Sequence, residues 1–307
     1  MTAAAHPLIH DLPLVESRTI GAVTVHAIQA GRQRLDGGAM FGVVPKTLWE
    51  RRIEADERNR IELGMRCLVV EHPDGVILVD TGCGNKETAK FHGIYGIENG
   101  GADGDTALED GLRLLGIAPE AVTLVINTHW HFDHAGGNTR RLADGRVVPA
   151  FPKARYVVQR GEQHWATHTN ERTAASYFPA NWDAVAAAGQ LDLVEGRVEI
   201  RRGIHLLPTP GHVPHHQSVL IDGGTARGVF LGDLIPTQHH VPLPWIMGYD
   251  VEPLVTLESK RRLLEEASAD GWVVIFEHDA RTAWGRIGRD AKGYGFEAEG
   301  GAGAPQP

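Results

Sequence analysis

Two segments of the chain repeat the same predicted order of elements, and this repeat constrains the fold more than any other feature. Residues 67–80 (CLVVEHPDGVILVD) and 218–233 (SVLIDGGTARGVFLGD) each predict a strand, a glycine-containing turn and a second strand that ends in aspartate. In both halves a loop, an amphipathic helix and an apolar strand follow, and the apolar strands lead to His129 and His278. We interpret the pattern as a degenerate internal duplication, for which chance similarity of short strand-turn-strand patterns is the alternative. The duplication predicts two equivalent β-rich layers that face each other, with helices outside.

The helix of each half has its own sequence signals. Residues 105–116 carry leucines at helical spacing, and Thr106 with Glu109 matches a capping box. Residues 252–270 repeat apolar side chains at the same period, and Pro253 suits the first turn of a helix. The two segments therefore predict the helices that connect the apolar strands.

The segment INTHWHFDHAGGN places four titratable side chains directly after an apolar strand, namely His129, His131, Asp133 and His134. Packing gives no reason for such a cluster, because buried polar groups must be desolvated and paired. Imidazole and carboxylate groups together usually bind a divalent metal ion. The cluster therefore predicts a metal site at the end of this strand.

Three more candidate ligands follow at predicted strand ends or turns. His212 follows a Pro-Gly turn in LLPTPGHVPHH, Asp233 ends VFLGD, and His278 lies in VIFEHD. Alone, each has an ordinary structural explanation as a turn residue, a loop cap or a histidine bonded to a carbonyl group. Together with the cluster they supply five histidines and two aspartates. This set is large enough for two divalent ions if one carboxylate bridges them.

The order of these motifs resembles that of the metallo-β-lactamase superfamily. THWHFDHAGG has the H-x-H-x-D-H pattern followed by two glycines, and TPGH, LGD and EHD follow in the family's order. DTG (80–82) precedes them all, and the resemblance spans roughly residues 20–280. It implies an α/β fold of the αββα sandwich type, which agrees with the duplication.

The resemblance also implies how the metal ions are held. The ligands form two groups that share a bridging aspartate: His129, His131 and His212 in one, Asp133, His134 and His278 in the other, and Asp233 as the bridge. Imidazole-rich ligation favours zinc for both divalent ions, with manganese, cobalt and iron as alternatives. We expect Asp80, in DTG, to order the neighbouring loops and not to bind metal.

Such a site predicts a metal-dependent hydrolase. Two metal ions lower the pKa of a bridging water, so that hydroxide attacks near neutral pH while the ions stabilise the developing oxyanion. The two catalytic carboxylates would be Asp233, as the bridge, and Asp133, as a proton relay to the leaving group. A scaffold that keeps metal for structure is the non-enzymatic alternative. It is disfavoured because structural zinc sites are closed and usually single.

Among the branches of the superfamily, the chain is most similar to the N-acyl-homoserine-lactone lactonases and the methyl-parathion-hydrolase-like group. The similarity rests on its length, its aromatic insertions and MFGVVPKTLWE (40–50). An acyl lactone is the expected substrate, and an organophosphate triester or aryl ester is the alternative. Glyoxalase II-like thioesterases and mononuclear-iron persulfide dioxygenases share much of the ligand set and are further alternatives. One departure is Pro236, because homoserine lactonases often carry a tyrosine three residues after the bridging aspartate.

The substrate pocket is expected to be apolar. Two aromatic-rich segments, residues 31–64 and 164–190, interrupt the repeat and are predicted to be helical or loop insertions over the site entrance. Together with PLPWIMGY (242–249) they would provide an apolar wall of the kind that small-molecule pockets use. The expected substrate contacts are Phe41, Trp49, Trp182, His239, His240 and Trp245.

We expect one domain over residues 1–290 and a flexible tail over residues 291–307, which are rich in glycine, alanine and proline. The apolar fraction of 42% is that of a globular protein large enough to bury a sizeable core. The chain has two cysteines, Cys67 and Cys83, without the spacing of a thiolate metal site.

Charge and hydropathy limit the partners. The net charge of −9 without a block of lysine and arginine disfavours nucleic acid. The longest apolar runs are too short to span a bilayer, and the N-terminal segment lacks the pattern of a signal peptide. We therefore expect a cytoplasmic protein with a small-molecule substrate and no membrane partner, and we leave a homodimer open.

Overall fold

Two seven-stranded mixed sheets lie at the centre of the computed structural model, which describes residues 12–298. In spatial order, the first sheet contains β1 (Val15–Ile20), β2 (Val23–Asp36), β3 (Arg60–His72), β4 (Gly75–Val79), β5 (Val122–Ile126), β8 (Arg155–Gln159) and β9 (Leu191–Val194). A separate two-stranded ribbon between β5 and β8 is formed by β6 (Thr139–Arg141) and β7 (Val147–Pro149).

The second sheet follows in the second half of the chain. Its strands, again in spatial order, are β10 (Val198–Arg201), β11 (Ile204–Pro208), β12 (Gln217–Asp222), β13 (Arg227–Phe230), β14 (Val273–Ile275), β15 (Trp284–Asp290) and β16 (Gly293–Ala298). The helices are α1 (Gly37–Phe41), α2 (Lys46–Trp49), α3 (Ala89–Tyr95), α4 (Ala107–Leu114), α5 (Phe132–Ala135), α6 (Arg160–Thr167), α7 (Asp183–Ala187) and α8 (Pro253–Ala269).

The two sheets pack face to face, with helices on their outer faces. Leu68 and Ile126 from the first sheet share one buried cluster with Phe230 and Ile275 from the second. On the outer face of the first sheet, α4 buries its leucines, while α8 packs its own on the outer face of the second. Fully burying a leucine, isoleucine or phenylalanine side chain contributes about 1.5–3 kcal/mol. The contacts between the two sheets, and those of α4 and α8 with the outer faces, therefore stabilise the sandwich. The predicted αββα arrangement is confirmed.

The strand pattern that was predicted twice from the sequence occurs in both sheets. β3 and β4 are antiparallel and β4 and β5 parallel, and β12, β13 and β14 repeat this arrangement. Since β4 and β13 hold equivalent places, Asp80 and Asp233 follow equivalent strands. His129 and His278 likewise follow β5 and β14, so the loops of both halves lie at one edge of the sandwich.

Both predicted helices form at the expected places. α4 begins after Thr106, whose side chain accepts a hydrogen bond from the backbone of Glu109 in a complete capping box. α8 begins at Pro253, where a missing N–H costs no helical hydrogen bond. Among residues 12–298, no helix is long and apolar enough to cross a membrane.

The first predicted insertion is shorter than expected. β2 continues to Asp36 and β3 begins at Arg60. The two strands pair up to Asp36 and Arg60, with a bulge between Gln29 and Arg32. Only residues 37–59 therefore leave the sheet, as α1, α2 and turns. Residues 164–190 form the end of α6, 3₁₀ turns and α7, as a largely helical insertion should.

The prediction of a flexible tail from residue 291 is wrong for residues 291–298. β16 pairs with β15 in register Ile287 to Phe296, and the ring of Phe296 lies 5.4 Å from that of Phe276. The alternating aromatic residues pack on the second sheet, and this burial outweighs the entropic cost of the glycines between them. Residues 1–11 and 299–307, on which the rest of the terminal predictions fall, lie outside the described residues.

Candidate metal centre

All seven predicted metal ligands meet at the edge where the loops of the two halves lie. They come from the loop after β5 and from α5, from the turn after β11, from the 3₁₀ turn after β13 and from the loop after β14. Their side chains form the two groups expected, each with ligand atoms within 4.8 Å of one another: His129, His131, His212 and Asp233 in one, Asp133, His134 and His278 in the other.

The carboxylate of Asp233 lies between the two groups. Its Oδ2 is 3.0 Å from His212 Nε2 and its Oδ1 is 3.0 Å from His278 Nε2. Oδ2 also lies 3.6 Å from His134 Nε2 and 3.9 Å from His129 Nε2. One carboxylate therefore faces ring nitrogens from both groups, which is the position that a bridging ligand needs.

The outer ring nitrogens of the second group are hydrogen-bond donors. His278 Nδ1 donates to the carbonyl oxygen of Gly64 at 2.7 Å. His134 Nδ1 faces two carboxylates, Asp80 Oδ2 at 3.1 Å and Glu277 Oε1 at 2.9 Å. A proton on Nδ1 leaves a lone pair on Nε2 in a neutral imidazole. The two Nε2 atoms nevertheless lie only 3.2 Å apart.

The first group shows the same arrangement. His212 Nδ1 lies 2.9 Å from Asp250 Oδ1, so its Nε2 faces inward, 3.1 Å from His131 Nδ1. Thr128 Oγ1 donates to Asp80 at 2.7 Å and accepts from His129 Nδ1 at 3.1 Å. His129 Nε2 is buried and makes no hydrogen bond within the described chain.

These ring nitrogens and carboxylates fit divalent metal ions. Buried ring nitrogens that converge on one carboxylate, at 3.0 to 3.9 Å, are satisfied together by a cation in their midst. Histidines that donate Nδ1–H to a carboxylate or carbonyl and turn Nε2 inward have the arrangement of metal ligands. The donor set of imidazole and carboxylate, without thiolate, suits zinc and its neighbours.

The charges of the centre also favour cations. Burial raises the pKa of Asp233, but the neighbouring His212 and His278 outweigh burial and hold it well below its usual range. Burial lowers the pKa of His278, but Asp233 outweighs burial and raises it to about 9. Burial and the adjacent histidines hold the pKa of His129 well below its usual range, so this ring is neutral. An ionised, buried Asp233 requires positive partners.

Asp80, His134 and Glu277 form a third close group of potential ligand atoms. Both oxygens of Asp80 are already occupied, since Thr128 donates to one from its backbone N at 2.8 Å and to the other from Oγ1 at 2.7 Å. We therefore interpret this group as a hydrogen-bonded layer that orients His134 from behind. The expected structural role of Asp80 agrees with this arrangement.

A cavity of about 410 Å³ opens onto the centre. Its base includes His131, Asp133, His212, Asp233 and His278. Its apolar walls are formed by Leu35, Met40, Leu63, Phe132, Met247 and Val251. Its polar groups come from Gln33, Tyr95, Arg172, Thr173, Ser176 and Tyr249. Both the volume and the mixture of groups are typical of a small-molecule site.

The six residues predicted to contact substrate are not among those that line this cavity. Phe41 stacks between Trp49 at 5.3 Å and His240 at 4.6 Å, with Trp245 edge-on at 5.6 Å. His240 donates to the carbonyl oxygen of Met40 at 2.8 Å. These aromatic rings gain more from packing on one another than from exposure, so they support the wall from behind.

The remaining two of the six lie elsewhere. Trp182 is buried and stacks on Trp130 with ring centroids 4.8 Å apart. Trp130 stands between the ligands His129 and His131 in the sequence, so Trp182 supports the loop that carries them. His239 lines a separate groove together with Asp279. None of the six therefore lines this cavity, since the aromatic side chains pack in clusters behind it and His239 lies in the separate groove.

Sequence reasoning missed Thr128, Glu277, Asp250 and Gln33, whose side chains contact those of the ligands. Thr128 and Glu277 stand next to His129 and His278 in the chain, so the adjacent motifs offered a signal for them. Asp250 receives a hydrogen bond from Thr256 at 2.7 Å and holds His212 through its other oxygen. Gln33 donates to Asp133 at 2.6 Å from 100 positions away. No local pattern marks these last two.

Comparison with known protein families matches residues 64–278 to the metallo-beta-lactamase superfamily. An N-acyl homoserine lactonase from a Bacillus species is 31% identical over 230 residues, which cover 71% of this chain and 82% of that protein. The match includes every residue of the candidate centre except Gln33.

Solved structures extend the likeness to nearly the whole chain. A probable metal-dependent hydrolase from Staphylococcus aureus has a TM-score of 0.83 and 28% identity, covering 93% of this chain and 100% of that one. AidC, a dizinc quorum-quenching lactonase in complex with a product, has a TM-score of 0.76 and covers 94% of this chain and 98% of its own. At 19% identity, the second likeness concerns the fold alone.

Proposed function

This chain belongs to the metallo-β-lactamase superfamily of metal-binding hydrolases, and we propose that it opens neutral acyl lactones at a dinuclear metal centre. The convergence of ring nitrogens on one carboxylate, at the base of a mostly apolar cavity, carries this proposal. The name of a relative supports it, since an N-acyl homoserine lactonase is 31% identical over 71% of this chain.

We infer that each of the two groups of ligands would hold one divalent ion, zinc by preference, and that Asp233 would serve both. Bound ions of this kind supply an activated water and polarise the scissile carbonyl group. Other residues of the chain orient the ligating nitrogens. Asp80 and Asp250 bind the outer nitrogens of His134 and His212, so that Nε2 of each ring faces inward.

Asp133 would handle the proton. It lines the cavity, its Oδ1 lies 3.8 Å from His134 Nε2, and its Oδ2 accepts a hydrogen bond from Gln33. A carboxylate at this position can take up a proton and deliver it to the alkoxide that leaves when the ring opens. Asp133 therefore combines the roles of ligand and proton relay.

The cavity favours a neutral substrate with an apolar chain. Leu35, Met40 and Leu63 offer aliphatic surface next to the centre. The chain carries a net charge of −9, which disfavours polyanionic substrates. Each buried methylene of an acyl chain is worth about 0.8 kcal/mol, or roughly fourfold in kcat/KM, until the cavity is full.

Ring opening tests this proposal. Metal-loaded protein is assayed for acid release with a series of acyl lactones of increasing chain length, and protein treated with a chelator serves as the control. We expect kcat/KM to rise with chain length and the chelated protein to be inactive. Strong hydrolysis of glutathione thioesters or phosphodiesters, with no lactone opening, would move the protein to another branch of the superfamily.

An aryl ester or organophosphate triester is the second candidate, and Pro236 is the observation that favours it. This residue accepts a hydrogen bond from His278 N at 3.0 Å through its carbonyl oxygen and has no side-chain donor. A substrate whose hydrolysis does not need the hydroxyl group of a tyrosine at position 236 would suit the site. The same assay with aryl esters and triesters at equal metal content decides between the two classes.

A further inference from the structure

The first half of α8 buries three polar side chains on one side of the helix. Thr256, Ser259 and Lys260 are at most 2% exposed, and their spacing of three and four positions places them together. Leu263 and Leu264 continue the same side and pack on the second sheet. A buried ammonium group costs free energy unless it is well paired, so Lys260 in particular calls for an explanation.

Two of the three side chains hold the turn that carries the metal ligand His212. Thr256 Oγ1 donates to Asp250 Oδ2 at 2.7 Å, and Asp250 Oδ1 lies 2.9 Å from His212 Nδ1. Ser259 Oγ donates to the carbonyl oxygen of Pro210 at 2.7 Å. This part of the polar side of α8 therefore acts on the metal centre.

Lys260 acts on a different part of the site. Its ammonium group donates to four backbone carbonyl oxygens of one segment: those of His240 at 2.7 Å, Pro242 at 3.0 Å, Leu243 at 3.3 Å and Trp245 at 2.8 Å. An ammonium group has three N–H donors, so these contacts engage all of them. An apolar side chain at position 260 would leave the four carbonyl groups without these donors.

The segment that Lys260 holds leads directly into the wall of the cavity. Residues 241–252 run as turns and irregular backbone, so contacts from other parts of the chain must fix their course. Met247, Gly248, Tyr249 and Val251 of this segment line the cavity. The last carbonyl group that Lys260 holds, that of residue 245, lies two positions before the first of them.

We propose that Lys260 is a positioning residue that sets the shape of the substrate wall, while Thr256 and Ser259 on the same side of α8 serve the metal centre. The inference rests on the proposed hydrolysis of acyl lactones and names the residue that determines how the acyl chain is held. Metal binding and selectivity for chain length then depend on different side chains of one helix.

The experiment compares Lys260→Met with Thr256→Val, each as full-length, metal-loaded protein. Three properties are measured: metal affinity by titration, kcat and KM for acyl lactones of increasing chain length, and hydrogen–deuterium exchange of residues 240–251. Arg261→Met is the matched control. Arg261 is the next residue of α8, is exposed, and pairs with Glu258 at 3.3 Å.

We expect Lys260→Met to keep the metal affinity and a kcat near that of the wild type. Its KM for long-chain lactones should rise, so that each methylene adds clearly less to kcat/KM than the roughly fourfold gain expected of the wild type. Exchange of residues 240–251 should become faster. Thr256→Val should instead lower metal affinity by about tenfold and keep the selectivity for chain length. Arg261→Met should match the wild type in all three properties.

The outcomes separate the two proposals. Unchanged selectivity and unchanged exchange in Lys260→Met overturn the role of Lys260 and leave the lactonase function in place. A loss of metal affinity as large as that of Thr256→Val also overturns it, because the three side chains would then act as one unit. If metal-loaded wild type opens no lactone, the proposed function fails, and the exchange of residues 240–251 alone decides on Lys260. If Lys260→Met does not fold, as judged by circular dichroism, Lys260→Gln, which keeps an NH2 donor, replaces it in the same comparison.

Discussion

Each half of the sandwich places an aspartate in the loop after equivalent strands, Asp80 after β4 and Asp233 after β13, yet the two carboxylates have different roles. Asp80 is fully buried and accepts from Thr128 through both of its oxygens, and it faces His134 Nδ1. Asp233 instead faces the inner nitrogens of four histidines. One carboxylate holds a ligand from behind, and the other is itself placed as a ligand.

The backbone explains part of this difference. Asp80 has a φ of 53°, in the left-handed region that few residues other than glycine, asparagine and aspartate occupy. In the second half the left-handed residue is Gly232, with a φ of 52°, and a side chain there would meet His216. Asp80 is the first residue after β4, whereas Gly232 and Asp233 are the second and third residues after β13. In the second half the aspartate therefore follows the left-handed residue instead of occupying its place, and its carboxylate turns toward the centre.

The largest effect expected from this comparison is that of Asp233→Asn. An amide cannot bridge two cations as a carboxylate does, so the variant should lose bound metal and its hydrolysis should fall to background. Elemental analysis of metal-loaded protein measures the first, and lactone opening measures the second. The fold should survive, as checked by circular dichroism. Full metal content with full activity would show that Asp233 is not the bridge.

Asp80→Asn should come second. Asparagine tolerates the left-handed backbone, so the variant removes the charge and keeps the turn. We expect metal affinity to fall about 10- to 100-fold, as for partners that orient a ligand. The free energy of unfolding should fall by about 1–3 kcal/mol, because Thr128 and His134 lose part of their shared acceptor. Metal titration and urea unfolding measure the two effects, and a loss of metal as complete as in Asp233→Asn would erase the distinction between the halves.

Glu277→Gln should have a smaller effect on the same histidine. Glu277 Oε1 lies 2.9 Å from His134 Nδ1 without making a hydrogen bond to it, whereas Asp80 Oδ2 accepts the hydrogen bond of that nitrogen at 3.1 Å. Metal affinity should therefore fall by no more than about tenfold. A competition titration with a chelator measures it, with Asp80→Asn run in parallel. A loss greater than that of Asp80→Asn would make Glu277 the principal partner of His134.

His239→Ala should change kcat/KM least of all. This residue follows Asp233 by six positions, but it lines a separate groove next to Asp279. The assay with acyl lactones should give wild-type values within error. A large rise in KM would restore His239 as a substrate contact and place the groove within the binding site.

The sequence could predict the ligands because each motif places them at the end of a strand. Packing fixes where strands end, and the repeat of Asp80 and Asp233 already indicated two layers that meet at one edge. Gln33 and Asp250 could not be found in this way. Gln33 reaches Asp133 only because β2 continues past a bulge toward the loop after β5. Local periodicity in the sequence does not reveal such a contact.

The aromatic residues of the insertions show a second limit. Their composition suggested exposure at an entrance, but Phe41 and Trp49 pack on each other and are nearly fully buried. Composition gives the amount of apolar surface but not which side chains cover it. The same limit applies to residues 293–298, whose glycines suggested disorder although Tyr294 and Phe296 pack against the second sheet.

The origin of the ligands in both halves has a consequence for how the chain unfolds. His129 and His131 belong to the first half, His212 and Asp233 to the second, and the Nδ1 proton of His278 reaches across to Gly64. Ions bound by ligands from both halves would act on folding as a reversible crosslink, because the unfolded chain does not bring these ligands together. At a free metal concentration of 100 times Kd, linkage alone would add about 2.7 kcal/mol to the folded state. Chelation would then loosen the cooperativity between the halves before either sheet melts, so calorimetric scans of the stripped protein should broaden as well as shift.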